Sequence, residues 1–249
     1  PEDLSVFFAV LIVPPGPPFP EHLHNKKVCG LVSCHLGTQE EAEKAVKPLL
    51  EFGPPLLKHI GPMPYPVLQS LFDPILPPGL HHYWKADYMS DHSEAAIKIH
   101  EQYGPRIPTF QSVIHIDPVT GAVRRVGKND TAYSYRDADF THIIAAVYPD
   151  STHMPEGRQW VRDYWSALHE HSAGGAYVNF MMEDEGGERV AASYRDNYPR
   201  LVAIKNKYDP TNLFHINQNI RTPSLGDFSL RPVRRPNEGW CQDTPSPWH

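Results

Sequence analysis

The sequence predicts an α+β fold built on a large antiparallel β-sheet with helices packed on one face. Three observations support this prediction. Short apolar segments of β type recur along the chain, they follow one another through hairpin-like turns or single helices, and amphipathic helical segments stand between some of them. Residues 222–249 differ, because they are rich in proline and polar residues and lack a period, which predicts an extended C-terminal tail.

The strands are recognised by apolar, β-branched and aromatic runs that end at proline, glycine or other turn residues. The run "LSVFFAVLIV" ends at the proline cluster "PPGPPFP", and the turn "DPVTG" separates two later runs. The predicted strands are residues 4–13, 27–36, 80–89, 109–116, 122–126, 140–148 and 176–182, with a further short one near 56–60.

The helices are recognised by their capping residues and by apolar side chains at helical spacing. Thr38 with Glu41 three residues later has the spacing of a capping box, and Asp91 is predicted to cap a second helix. Pro155 is favourable at a helix start, and "AGG" ends that helix. The predicted helices are residues 38–52, 65–72, 91–103, 155–171 and 198–207.

Composition and charge limit the classes of partner. Apolar residues make up 40% of the 249 residues and charged residues 21%, which is typical of a globular protein. The net charge of −6 argues against nucleic acid or an anionic membrane as the main partner. No apolar run has transmembrane length, and the opening "PEDLSVFFAVLIVPP" lacks the basic start and cleavage site of a signal peptide.

The three cysteines, Cys29, Cys34 and Cys241, are too few and odd in number for a disulfide framework. Cys29 and Cys34 lie an odd number of positions apart on one predicted strand, so their side chains point to opposite faces and are not expected to bridge. This cysteine usage favours a reducing compartment, such as the cytoplasm.

Five motifs occur in a fixed order: "GPMPYPVLQSLFD", "YWKADY", "GAVRRV" with "DTAYSYRDADF", "GGAYVNFMMEDE", and "YPRLVAIKNKYDPTNLFHINQNI". In this order they resemble the C-terminal, substrate-domain half of the berberine bridge enzyme-like FAD-linked oxidases of the vanillyl-alcohol oxidase superfamily. The last motif is the most specific one. The resemblance covers residues 1–221, with a berberine-bridge segment at 194–221, and leaves residues 222–249 as the tail.

The resemblance implies a substrate domain whose antiparallel sheet covers the reactive side of a flavin, with FAD as cofactor. It implies that Asn179, Asn217 and Asn219 lie near that flavin. Amide side chains suit the pyrimidine edge of a flavin because they both donate and accept hydrogen bonds without adding charge. The implied function is part of an FAD-dependent oxidoreductase that oxidises a small sugar, phenolic or alkaloid-like substrate.

Two features depart from the family pattern. The flavin-carrying domain, with its pyrophosphate loop and covalent attachment residue, does not precede Pro1, and no G-x-G-x-x-G string occurs. The isolated chain is therefore expected to bind FAD weakly, and to pair with a separate FAD-domain chain or with itself through an exposed lid surface. Phe180 stands where many family members place a catalytic tyrosine, so the base is predicted among Tyr83, Lys85, Tyr177 or a histidine.

Fifteen histidines leave a second function open. His22 with His24, and His81 with His82, offer nitrogen ligands for a divalent transition metal, and "HID" at 115–117 is a weaker candidate. Such a site would support a stand-alone, flavin-free hydrolase of esters or lactones, although no H-E-x-x-H string occurs. A non-catalytic binding module is the third alternative.

Overall fold

Five antiparallel strands form one open sheet in the computed structural model, which describes residues 2–220. The strands are β1 (Leu4–Ile12), β2 (Lys27–His35), β3 (His81–Met89), β4 (Val113–Pro118) and β5 (Phe140–Tyr148). Their order in the sheet is β2-β1-β4-β5-β3, and every pairing is antiparallel. The predicted α+β class and antiparallel sheet are confirmed. The predicted tail at 222–249 and Cys241 lie outside the described residues.

Seven α-helices accompany the sheet within the same residues. They are α1 (Gln39–Glu51), α2 (Tyr65–Gln69), α3 (Glu94–Tyr103), α4 (Ala122–Arg125), α5 (Met154–His169), α6 (Gly186–Tyr194) and α7 (Tyr198–Tyr208). The capping box of α1 is confirmed, because Thr38 caps Glu41 and the Glu41 carboxylate accepts from the Thr38 backbone N–H at 2.9 Å. For α3 the predicted cap is wrong: Ser93 caps the helix, and Asp91 Oδ1 accepts from the Ser93 N–H instead.

Strand β5 is covered on both faces because its side chains alternate between them. On one face, Ile144 and Ala146 pack against Val161, Tyr164 and Leu168 of α5, in the main core. Helix α3 belongs to the same layer, through the fully buried Ala96 among others. This face is called the helical side below.

The opposite face of the sheet is covered by a different set of segments. There, Ile143, Ala145 and Val147 of β5 pack against Met181 and against Val190 of α6. Ile220, the last residue of the described chain, also packs against this face. Helices α3 and α5 cover one side of the sheet, whereas the second side carries α6 together with irregular segments and leaves part of its surface accessible.

Three predicted strands are wrong. Residues 56–60 form no regular element, and residues 122–126 correspond to the short helix α4, which begins after Gly121 with a φ of 61°. Residues 176–182 contain a single 3₁₀ turn, Val178–Phe180. The strand predicted at 109–116 is real but displaced to β4, and α6 was not predicted because "EDEGGE" is typical of a loop.

Residues 173–175, which precede the segment 176–182, occupy the outer edge of β3 around Tyr88. Ala173 donates its N–H to the Tyr88 carbonyl at 2.7 Å, and Tyr88 donates to the Gly175 carbonyl at 2.8 Å. These bonds satisfy the outer backbone groups of β3 at that point. The following residues turn beneath the sheet, which brings Tyr177 and Phe180 onto its accessible face.

Residues 2–220 also bear on the expectations about membrane-spanning helices and about the cysteines. Within them, no helix has the length and apolarity needed to cross a bilayer. Cys29 and Cys34 are both free thiols, and they lie opposite Val10 and Ser5 of β1, on different faces of the sheet. The absence of a bridge between them was predicted from their odd spacing.

Packing of α5 against β5 predicts a specific sensitivity at Gly157. A Cβ at this position would overlap Tyr148 Cε2 and lie 3.1 Å from Ala146 Cβ, both on the strand beneath. Gly157→Ala should therefore lower the free energy of unfolding by about 1–3 kcal/mol, measured by urea denaturation. Gly187→Ala in α6 is the control, because nothing lies within 4 Å of its Cβ; it should be neutral or mildly stabilising. Equal losses in both variants would contradict this packing.

Candidate functional site

A row of aromatic rings lies on the sheet face away from α3 and α5. Phe7 of β1 and His115 of β4 project from the sheet, and loop residues extend the row at both ends. The ring centroids of Phe72 and Phe7 are 6.3 Å apart, those of Phe7 and His115 5.7 Å, those of His115 and Phe180 6.1 Å, and those of Phe180 and Tyr177 5.4 Å. We call these five residues the aromatic face.

A His–Asp pair stands within the aromatic face. His115 Nδ1 lies 2.8 Å from Asp117 Oδ2, and the two residues share a face of β4 because they are two positions apart. Both side chains are partly accessible, at 23% and 31%. A carboxylate beside an imidazole orients the ring and stabilises its protonated form, which is the arrangement of a proton acceptor. Sequence reasoning singled out this pair only as a weak metal candidate.

Tyr177 and Asn179 lie together at one end of the aromatic face. Asn179 Nδ2 donates to the Tyr177 hydroxyl oxygen at 2.8 Å, and the Tyr177 ring also contacts Tyr133 at a centroid distance of 6.1 Å. Asn179 itself is exposed. The structure thus joins a predicted catalytic residue and a predicted cofactor-binding residue, and their roles stay predictions.

The amides of residues 217–219 line an open cleft of about 540 Å³ between the start of α6 and the chain that follows α7. Asn217 adopts a left-handed conformation with φ of 63°, and Asn219 donates its N–H to the Asn217 carbonyl at 3.0 Å. Gln218 Nε2 donates to the Met181 carbonyl at 2.8 Å. This bond attaches the chain that follows α7 to the irregular segment that contains Met181. The Asn219 Oδ1 atom is buried and has no hydrogen-bond partner.

Tyr83 and Lys85 lie on the helical side of β3, away from the aromatic face. Lys85 Nζ forms ion pairs with Asp184 Oδ1 at 3.1 Å and Glu185 Oε1 at 3.0 Å, and only 6% of the residue is accessible. The Tyr83 hydroxyl donates to Asp184 Oδ2 at 2.8 Å and accepts from Arg162 Nε at 3.0 Å. The structure therefore brings Tyr83 and Lys85 together, but separates both from Tyr177.

The charges of this network reinforce one another. Burial alone would lower the pKa of Lys85, but the hydrogen bond and negative charge of Glu185 outweigh it and raise the pKa. Burial alone would raise the pKa of Asp184, but hydrogen bonds from Arg162, Tyr83 and Lys85 lower it to about 2. Lys85 thus holds its proton at neutral pH and acts here as a buried cation.

The histidine pairs predicted as metal ligands do not converge with a third ligand in the described residues. His24 Nε2 instead contacts the Gly16 N–H at 3.1 Å and the Phe19 carbonyl at 2.9 Å. The remaining three predicted ligands are His22, His81 and His82. His81 and His82 are consecutive on β3 and point to opposite faces of the sheet. No observation among residues 2–220 therefore favours the hydrolase alternative.

Sequence reasoning missed a cluster of three histidines on the helical side. His92 precedes α3, His100 lies on α3 and His142 lies on β5, and one ring nitrogen from each lies within 4.8 Å of the others. Burial lowers the pKa of all three side chains, to about 4 for His100, so the rings are neutral at neutral pH. They are distant in sequence and form no short motif, so only the tertiary structure reveals them.

Comparison with known proteins finds similarity in sequence and in fold. The family model for berberine and berberine-like proteins matches residues 176–221. An FAD-linked oxidoreductase of Dictyostelium discoideum is 26% identical over 193 residues, which are 77% of this chain and 42% of the relative. The uncharacterized FAD-linked oxidoreductase YvdP of Bacillus subtilis is 29% identical over 208 residues, which are 78% of this chain and 45% of that protein.

Solved structures share the fold over nearly the whole described chain. A berberine bridge enzyme-like protein of Arabidopsis thaliana superposes with a TM-score of 0.70 at 18% identity, covering 90% of this chain and 51% of that structure. Aclacinomycin oxidoreductase superposes with a TM-score of 0.69 at 16% identity, covering 89% of this chain and 47% of that structure. At these identities the superpositions establish the fold alone.

The predicted resemblance is confirmed, and the chain is a relative of the berberine bridge enzyme-like FAD-linked oxidoreductases. It spans less than half the length of the two curated relatives described above. The family match begins upstream of residue 194, where sequence analysis placed the start of this segment, and it includes Asn179, Asn217 and Asn219.

The buried ion network predicts a large effect of removing its cation. Lys85→Met should lower the free energy of unfolding by about 3 kcal/mol, because Glu185 and Asp184 would lose their buried partner. Lys98→Met is the matched control: it breaks an exposed pair with Glu94 and should cost no more than about 0.5 kcal/mol. Thermal and urea unfolding measure both. Similar small losses in the two variants would show that Lys85 does not hold the network together.

Proposed function

We propose that this chain forms the substrate-binding part of an FAD-linked oxidoreductase, with a small molecule bound on the aromatic face. The observation that carries the proposal is the partly accessible row of rings that contains the His115–Asp117 pair. Aromatic faces bind planar or sugar-like molecules by stacking, and a few polar groups fix their orientation. The relationship to FAD-linked oxidoreductases supports the reaction class.

FAD fits this chain through its ring rather than through its pyrophosphate. The unpartnered Asn219 Oδ1 is an acceptor suited to a ring N–H, and Asn217 and Gln218 line the same cleft. These three residues would hold the isoalloxazine edge. A pyrophosphate needs clustered backbone N–H groups. The glycine start of α6 is unsuited to that task because the acidic residues 183–185 precede it and repel phosphate.

The chain's own residues would position the substrate and accept a proton from it. A bound flavin supplies the two-electron acceptor. The His115 imidazole accepts the proton from a substrate hydroxyl or C–H group, while Asp117 stabilises the resulting imidazolium. Tyr177, held by Asn179, is the second candidate for this role. Phe180 has no titratable group, so it contributes shape only.

The proposed substrates are small sugar, phenolic or alkaloid-like molecules. The aromatic face offers ring surfaces for stacking, and the Tyr177 hydroxyl and the exposed Asn179 amide offer hydrogen bonds to substrate hydroxyls. This combination suits a molecule with a flat or hydroxylated ring. The acidic net charge of the chain gives no advantage to polyanionic substrates.

The segment after α7 supports a protein partner or a second part of the same protein. Three large apolar residues there, Leu213, Phe214 and Ile216, are 70% to 81% exposed, as is Tyr208 at the end of α7, at 72%. Contiguous apolar surface of this kind marks an interaction site. Because the segment adjoins the amide cleft, we assign it to contact with the FAD-carrying part, supplied in the same or a separate chain. Self-association through this surface is the competing outcome.

Flavin binding by the isolated chain should be weak. Without pyrophosphate contacts, worth about 1.5–3 kcal/mol for each hydrogen bond to a charged group, the purified chain should be colourless and bind FAD no tighter than micromolar. Adding the FAD-carrying part should give a yellow complex. In that complex, Asn219→Leu should weaken flavin retention, whereas Asn206→Leu on the exposed face of α7 should not. A yellow isolated chain with stoichiometric flavin would contradict the proposed division of the site.

Turnover should depend on His115. In the complex with its FAD-carrying part, His115→Gln should reduce kcat by about 10²–10⁴-fold, because proton transfer by a positioned side chain contributes this much. His153→Gln, an exposed histidine at the start of α5, is the control. Flavin reduction under a panel of sugars, phenols and alkaloids is the measurement. Unchanged turnover in His115→Gln, with loss in Tyr177→Phe, would transfer the role to Tyr177.

A further inference from the structure

We propose that His92, His100 and His142 bind one divalent transition-metal ion of the Zn²⁺ class, which ties α3 and the loop before it to β5. The site lies on the helical side of the sheet, so it is separate from the aromatic face and from the proposed flavin cleft. It also differs from the histidine pairs that the sequence suggested.

The three rings converge from three separate elements. His92 and His142 meet through their Nε2 atoms at 2.7 Å, and their ring centroids are 4.7 Å apart. The His100 ring centroid lies 5.0 Å from that of His142 and 6.1 Å from that of His92. A metal bound to all three would connect residues that no other polar contact joins as a set. Cross-linking of this kind stabilises the folded state.

Two ring nitrogens of the cluster are buried and have no hydrogen-bond partner. They are His100 Nε2 and His142 Nδ1. A buried polar atom without a partner costs free energy, and native proteins rarely leave one unexplained. A metal ion at the centre of the cluster satisfies His100 Nε2 directly. His92 and His142 share one hydrogen bond between their Nε2 atoms. In the metal site, each of these two atoms would instead bind the metal.

Tyr164 sets the ring nitrogen that His100 offers. The Tyr164 hydroxyl oxygen lies 2.5 Å from His100 Nδ1, and Tyr164 is fully buried on α5. When Nδ1 donates its hydrogen to this oxygen, the lone pair is on Nε2, which is buried and has no hydrogen-bond partner. Metal-binding histidines commonly donate their second nitrogen to a fixed partner in this way. Tyr164 is therefore a positioning residue for the site.

The ligand set selects the class of metal. Three imidazole nitrogens suit Zn²⁺, Cu²⁺ or Ni²⁺, whereas Mg²⁺ and Ca²⁺ require oxygen ligands. The nearest buried carboxylate, Asp87, lies opposite His142 on β3, but its oxygens already bind Arg189 and His169. The fourth position of a tetrahedral ion would thus be taken by water.

Metal binding requires the rings to move: the three ligand nitrogens lie within 4.8 Å of one another, so the longest of these separations shortens by up to about 1.5 Å. Nitrogen ligands of tetrahedral Zn²⁺ lie about 3.3 Å apart, since each Zn–N bond is about 2.1 Å. The 2.7 Å contact between His92 and His142 must widen by roughly 0.6 Å to reach this separation. His92 can provide the movement, because it is only half-buried and lies outside α3. His142 is fixed in the central sheet.

The test uses the full chain after removal of metal with a chelator. Titration with Zn²⁺ should saturate at one ion per chain and raise the Tm, and Co²⁺ should give the visible bands of a tetrahedral nitrogen site. His92→Gln and His100→Gln should each weaken the affinity at least about tenfold, and Tyr164→Phe about tenfold. His153→Gln, an exposed histidine, is the matched control and should leave the affinity unchanged.

The outcomes separate a metal site from a hydrogen-bonded trio of rings. Unchanged Zn²⁺ affinity in both His92→Gln and His100→Gln would overturn the proposal, as would the absence of tetrahedral Co²⁺ bands. Loss of binding only in His153→Gln would assign the metal to the surface. If His100→Gln fails to fold, His92→Gln decides, because that side chain lies outside the helix and its replacement spares the core.

Discussion

The pairing of β5 between β3 and β4 is the constraint on which the rest of the structure depends. Successive strand side chains point to opposite faces, so this register sends His142, Ile144 and Ala146 to the helical side and Ile143 and Ala145 to the other. A slip of one residue would exchange the two sets. The histidine cluster and the aromatic face are therefore fixed on different sides of one sheet and cannot share residues.

The helical side concentrates the buried charge of the molecule. Lys85 and Asp87 project from β3 into this layer, where residues of α5, α6 and the turn before α6 neutralise them. Asp87 also lies opposite His142 and holds His169, so the ion network and the histidine cluster are neighbours. Buried charges of this kind are costly to leave unpaired, and their mutual pairing favours a single arrangement of helices over the sheet.

The accessible side of the sheet is suited to binding because its aromatic rings are held by contacts with one another and remain partly accessible. Phe180 lies on a 3₁₀ turn and meets the His115 ring edge-on on one side and the Tyr177 ring on the other. Phe180 itself carries no titratable group. The adjacent His115–Asp117 pair can supply the missing proton acceptor in our proposal.

Local patterns determined the strand-and-helix order, the capping box at Thr38, the unbridged cysteines and the family resemblance, because each depends on neighbouring residues in the chain. Tertiary structure decided the rest. The segment 176–182 has strand composition but forms only a 3₁₀ turn, and "EDEGGE" leads into α6, whose Arg189 pairs with Asp87 of β3. From the sequence, Lys85 is interpreted as a candidate pocket residue. In the structure, Asp184 and Glu185 enclose it. His92, His100 and His142 meet only after three elements have packed, since convergence of distant residues is a property of the fold rather than of any sequence interval.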